Sequence, residues 1–124
     1  MIEKRLLVID DNRDLAELVR RVGVGAGYDV CVATEAVQFM EAFDSFHPTV
    51  IVLDMVMPDT DGIQLLQWLV DRRVTARIVV ASGFNPLYAK MAAKLGTAKG
   101  LVVTYLAKPF RLQELRAVLH QEAA

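Results

Sequence analysis

Three stretches of this chain end in residues that can do chemistry together. The apolar run 49–53 closes on Asp54 and continues as Met55-Val56-Met57-Pro58. The run 5–9 closes on the adjacent pair Asp10 and Asp11, and a late run closes on Lys108-Pro109-Phe110. A carboxylate at the end of a buried strand leaves the core at the sheet edge, where open parallel sheets hold their ligands. Each signal has a plainer reading by itself. A lone strand-end acid caps a loop, and an acid pair opening a helix is favoured by the helix dipole. Three acids and one base at three strand ends instead describe an acidic pocket that holds a divalent metal and handles a phosphoryl group.

The elements that position these residues follow from hydrophobic period. Strand-length apolar runs are expected at 5–10, 28–32, 50–54, 77–81 and 101–106, alternating with segments of helical period. Leu15, Leu18, Val19 and Val22 share one face of a first helix capped by Asn12, with Gly23, Gly25 and Gly27 predicting fraying or an early stop. Thr34 is the expected cap of a second helix carrying Val37, Met40 and Phe43, broken at His47-Pro48. Asp61 with Gln64 reads as a capping box for a third, with Ile63, Leu66, Leu69 and Val70 on one side. Asn85-Pro86 opens a fourth, with Leu87, Met91 and Leu95 inward and Gly96 at its end. Leu112, Leu115, Val118 and Leu119 make the fifth amphipathic. Five β-then-α units predict an α/β fold: a five-stranded parallel sheet flanked by five helices on both faces. With the first strand central, all strand C-termini open onto one edge, where Asp10, Asp11, Asp54, Ser82 and Lys108 meet.

Composition narrows the function classes. The chain has 124 residues, 54% of them hydrophobic, which favours one folded domain over 1–124. The net charge of −1 argues against a dedicated nucleic-acid binder, whose affinity needs a basic face. No apolar stretch approaches the roughly 20 residues of a membrane span. A single cysteine, Cys31, and the lack of a leader at Met1 fit a cytoplasmic location. Cys31 reads as a buried strand residue, while His47 and His120 lack ligand-spaced partners.

The motifs 7–12 (LVIDDN), 53–58 (LDMVMP), Asp61-Gly62, Ala81-Ser82-Gly83 and 105–110 (YLAKPF) occur in this order, each at a strand end. Over nearly its whole length the chain resembles the receiver domain of two-component response regulators. That resemblance implies flavodoxin-like topology and a phosphoacceptor function, with Asp54 taking a phosphoryl group from a sensor histidine kinase or phosphotransfer protein. It implies Mg2+ as cofactor, bound directly by Asp11, mainly through water by Asp10, and by Asp54 and the backbone carbonyl of Val56. Lys108 would neutralise the phosphoryl oxygens. Ser82 would hydrogen-bond one of them and Tyr105 would turn inward as the switch aromatic. The face from 85 to 121 would then control an output domain or partner protein, or form a homodimer. The Lys108–Pro109 bond is expected to be cis.

Two departures stand out. Val56, two beyond the acceptor, cannot orient a hydrolytic water through its side chain, which predicts a long-lived phosphoryl state. Ser82 and Lys108 lie 26 positions apart, a few more than receivers usually show. The stretch 92–103 is similar to receivers fused to EAL-type cyclic-di-GMP phosphodiesterase domains, so the chain reads as an N-terminal piece of such a regulator or a free-standing relative. Rival classes fit less well. A flavodoxin-type FMN carrier must cradle phosphate in its first loop, and the acids at 10–14 would repel that phosphate. A haloacid-dehalogenase-type phosphatase needs its nucleophile on the first strand and an acid where Val56 stands. A pseudo-receiver that serves only as a binding module is the remaining alternative.

Overall fold

The computed structural model describes residues 3–58, 60–83 and 86–120. Five strands form one parallel sheet: β1 (Arg5–Ile9), β2 (Asp29–Ala33), β3 (Val50–Asp54), β4 (Arg77–Ser82) and β5 (Val102–Ala107). Their spatial order is β2-β1-β3-β4-β5, so β3 occupies the middle and β1 lies beside it, paired on both sides. Every residue of β3 and β4 is buried, as expected of parallel strands covered on two faces. The edge strands β2 and β5 are partly exposed, and Cys31 on β2 is half-buried rather than buried. A short antiparallel ribbon pairs Val56–Met57 with Thr60–Asp61 just after β3, an element the periodicity did not announce.

The helices are α1 (Arg13–Gly25), α2 (Ala36–Phe46), α3 (Gly62–Asp71), α4 (Pro86–Ala98) and α5 (Leu112–His120). Two apolar layers sandwich the sheet. One joins Leu7, Ile9, Ile51, Leu53, Ile78 and Val80 to helices α2, α3 and α4, and the other joins Leu6, Val8, Val52 and Val79 to α1 and α5. A fully buried side chain of this kind contributes about 1.5–3 kcal/mol.

Several helix faces differ from the periodic reading. In α1 the inward residues are Ala16, Val19, Val22 and Gly23, while Leu18 is exposed. The helix continues through Gly23 because that glycine lets it settle on the sheet: a Cβ there would lie 2.7 Å from Leu6 Cδ2. Asn12 caps α1 as expected, accepting from Leu15 N at 3.1 Å. Glu35, not Thr34, occupies the N-cap position of α2, and the Thr34 amide and hydroxyl both donate to Gln38 Oε1. The anchor of α2 is the fully buried Phe39, with Val37 outward. That helix ends at His47, whose left-handed φ of 54° precedes Pro48. In α3, Leu65 joins Leu66 and Leu69 in the core, while Ile63 and Val70 are half-buried. Trp68 packs edge-on against Phe39 and Phe43, under the Arg72 guanidinium.

The largest correction concerns α4. Its inward residues are the small ones, Ala89, Ala92 and Gly96, whereas Leu87, Met91 and Leu95 point to solvent. Gly96 does not end the helix. A Cβ there would meet Val103 Cγ2 at 3.0 Å, so the glycine brings α4 close to β5. The turn comes at Gly100, with φ of 96°, and the stretch 92–103 folds as the end of α4, this turn and the start of β5. The expected cap Asn85 lies outside the described residues. In α5, Leu115, Val118 and Leu119 are buried and Leu112 is exposed.

Candidate functional site

Parallel pairing brings the C-terminal ends of β1, β3, β4 and β5 to one edge. Asp10 follows β1, Asp54 ends β3 in register with Ala81, and Ser82 ends β4 in register with Ala107. The turn beyond β5 is held by Lys108 N donating to Ser82 O at 3.0 Å, and the Lys108–Pro109 peptide is cis. Gly83 permits this approach, since a Cβ there would stand 3.0 Å from Lys108 Cβ.

The carboxylates of Asp10, Asp11 and Asp54 each offer an oxygen within 4.8 Å of the others. Asp10 and Asp54 are 5% and 4% exposed, while Asp11 stands open to solvent. The Lys108 ammonium lies 2.9 Å from Asp10 Oδ2 and 3.4 Å from Asp54 Oδ1, so one cation serves two buried anions. Backbone amides supply part of the remainder: Asn12 N donates to Asp10 Oδ1 at 3.0 Å and Val56 N to Asp54 Oδ1 at 3.2 Å. The compensation is incomplete. Burial first, then the Asp10 charge, push the Asp54 carboxyl up to about 7, against the lowering effects of Lys108 and the Val56 amide. A third positive source would relieve this repulsion. Three hard carboxylate oxygens around a partly open cleft suit magnesium or calcium rather than a soft metal.

Ser82 is 1% exposed, and its hydroxyl has no hydrogen-bond partner among the described residues. A buried orphan donor is costly, and this one sits at the same sheet edge as Asp54. Tyr105 is half-buried near the end of β5, packed against the α4-side core, with Lys90 Nζ 5.7 Å from its ring centre. Val56 lies in the short ribbon with its side chain largely exposed.

Two roles escaped the sequence reading, the packing of Gly62, which it named only as part of a motif, and the contact of Tyr88. Gly62 packs against the segment after Asp54, where a Cβ would lie 2.8 Å from both Met55 Cα and Met55 O. The phenol of Tyr88, on α4, donates to Asp61 Oδ1, the same oxygen that caps α3 by accepting from Ile63 N at 2.9 Å. The adjacency of Asp61 and Gly62 was the available signal for the first; nothing in the sequence marks the second.

Residues 6–120 match the family model described as the response regulator receiver domain. The response regulator MprA of Mycobacterium ulcerans is 34% identical over 113 residues, 91% of this chain and 47% of that protein. The chain therefore spans about half the length of the curated relatives it matches. The signal receiver domain of a response regulator from Bermanella marisrubri superposes with a TM-score of 0.81 at 28% identity, covering 96% of this chain and 97% of that one. A Burkholderia pseudomallei response regulator, solved with a phosphorylated aspartic acid, a calcium ion and citrate, gives 0.79 at 28% identity over 95% of this chain and 67% of that one. Strand order, acid cluster and sequence match agree, and the chain belongs to the response regulator receiver domain family.

Proposed function

We propose that residues 1–124 act as one receiver domain in which Asp54 is the phosphoacceptor. The observation that carries this reading is the pair of buried carboxylates, Asp10 and Asp54, sharing the Lys108 ammonium beside a third carboxylate. An Asp54 oxygen attacks the phosphorus of a phosphohistidine on a sensor kinase or phosphotransfer protein. The P–O bond forms as the P–N bond breaks, and the histidine leaves with the electron pair and takes up a proton. Asp54 becomes an acyl phosphate, whose phosphoryl group carries about −1.5 to −2 charges in place of the single carboxylate charge.

Asp10, Asp11 and Asp54, with the Val56 carbonyl, would hold Mg2+. When bound, it offsets the repulsion between carboxylate and phosphoryl oxygens, about 4 kcal/mol for unit charges about 4 Å apart at an effective dielectric of 20. Lys108 then exchanges part of its contact with Asp54 for a phosphoryl oxygen. The orphaned Ser82 hydroxyl donates to another, which relieves its missing hydrogen bond. Tyr105 follows inward, and the face built from α4, β5 and α5 reports the change to an output domain or partner protein. The phosphorylated aspartate reported for the Burkholderia relative supports the same chemistry here.

Mass spectrometry after treatment with acetyl phosphate or phosphoramidate and magnesium tests this reading. Wild type gains one phosphate and Asp54→Asn gains none. A wild type that stays unmodified, where a known receiver is modified, would make the chain a phosphorylation-independent binding module.

A further inference from the structure

The N-terminal edge of the sheet, opposite the Asp54 cleft, gathers cations that the phosphoryl chemistry does not use. Arg5 opens β1, His47 follows α2, and Arg72, Arg73 and Thr75 lie between α3 and β4. Together with Phe43 they line a cleft of about 370 Å³, a volume suited to a small molecule. Two of the guanidinium groups are already answered. Arg5 pairs with Glu3, and its Nε donates to His47 O at 2.8 Å. Arg72 pairs with Asp44 at 3.0 Å and lies over the Trp68 ring. Among the described residues Arg73 makes no ion pair and no side-chain hydrogen bond.

The backbone here is costly for the side chains it carries. Among the described residues the non-glycine positions with positive φ are His47 and Arg73, at 54° and 53°, and both line this cleft. They end α2 and α3 at the place that glycine fills with least strain. At Arg73 the turn is closed by backbone alone: Arg73 N donates to Val70 O at 3.0 Å and Val74 N to Leu69 O at 3.3 Å. Glycine would serve that turn better. The helix dipole favours a cation near this end, but Arg72, one residue earlier, already supplies it. Neither effect accounts for a guanidinium at the left-handed position itself.

We propose that this cleft is a second ligand site, which takes a small phosphate ester with a planar body, of the nucleoside monophosphate class. The Arg73 fork grips the phosphate, since two parallel N–H donors match two of its oxygens. Thr75 adds a hydroxyl beside it, and Phe43 forms the apolar wall for the body of the ligand. The negative ends of α2 and α3 meet at this cleft and oppose an anion, so recognition falls to side chains. A nucleic-acid strand fits poorly, because it needs cations for several phosphates in a row. Here Glu3 and Asp44 offset Arg5 and Arg72, which leaves one free charge for one phosphate group. This site goes beyond the role of Asp54 and does not rest on it.

The test titrates the isotope-labelled full chain with AMP in chelator, which keeps divalent ions from the Asp54 cleft. Resonances of residues 47–49 and 72–76 should move while those of 10–12 and 54–56 stay. Adenosine, which lacks the phosphate, should bind at least about tenfold more weakly. In ligand-free buffer Arg73→Gly should melt higher than wild type, because it relieves the backbone, yet its AMP affinity should fall at least about tenfold. Arg73→Asn, which also tolerates the left-handed backbone, should show the same loss of affinity. Absence of binding, adenosine binding as tight as AMP, equal shifts from sodium chloride at the same ionic strength, or undiminished affinity in both variants overturns the proposal. So does a lower melting temperature in Arg73→Gly, which would mean that the arginine serves the turn.

Discussion

A carboxyl group that titrates near neutrality is a liability for the fold as well as an opening for chemistry. The folded Asp54 takes up its proton at about 7, against an ordinary value of 3.8. Between those two values the folded chain holds a proton that the unfolded chain has released. Stability therefore falls as pH rises through this window, and this group contributes no further change above about 7. In metal-free buffer at pH 8, Asp54→Asn should be more stable than wild type by ~2 kcal/mol, with the gap closing below about pH 4. Urea unfolding of both proteins in chelator decides it, and equal midpoints at pH 8 would refute the argument. Val56 concerns the phosphoryl state itself. Its exposed apolar side chain offers no hydrogen bond to an incoming water. Val56→Asn should shorten the acyl phosphate lifetime by roughly tenfold, about 1.4 kcal/mol of barrier. Loss of the phosphate signal over time in magnesium buffer measures this, and unchanged decay would count against any role for the position.

Elements differ in how much their glycines matter, and two helix-end glycines separate the cases. Gly62 opens α3 against the chain leaving Asp54, where an added methyl meets Met55 backbone that has no free rotamer to escape through. Gly62→Ala should cost ~2 kcal/mol by overpacking and should slow phosphorylation by displacing the segment that carries the Val56 amide. Gly25 ends α1 with nothing within 4 Å of a Cβ. There Gly25→Ala should stabilise by ~0.5 kcal/mol through the unfolded chain's lost freedom. Thermal melts of the two variants should move in opposite directions. The strand ends were legible in sequence because a charged residue closing a run of Val, Ile and Leu has only one place to go in a covered parallel sheet. The helix faces were less legible. Period alone favours the largest apolar residues as the inner row, and α4 carries two candidate rows. The row Ala89, Ala92 and Gly96 lies inward because small side chains let the helix approach β5 closely, which leaves Leu87, Met91 and Leu95 outside. Likewise the bond from Tyr88 to Asp61 joins residues on separate elements, and no local pattern encodes it.

For the molecule as a whole, the cleft draws its acids from two strand ends separated by more than forty residues, while its lysine comes from a third near the other end of the chain. A ligand held by that set cannot bind the unfolded chain with comparable affinity, so binding must stabilise the entire fold. The coupling runs through charge as well. Asp10 and Asp54 face each other across one ammonium, and a bound divalent ion would offset both the burial and the Asp10 charge that push the Asp54 carboxyl up. At a magnesium concentration about 100 times its dissociation constant, unfolding should cost ~2.7 kcal/mol more than in chelator. The gain should be larger at pH 8 than at pH 5, because at the lower value a proton already occupies Asp54 and must leave before the ion can enter. Asp11→Asn should lose most of the gain while keeping the metal-free stability of wild type, since Asp11 is exposed. Urea titrations at both pH values, with and without magnesium, separate these outcomes. A magnesium effect that is absent, or the same at pH 5 and pH 8, would mean that the three carboxylates are neighbours without being a site.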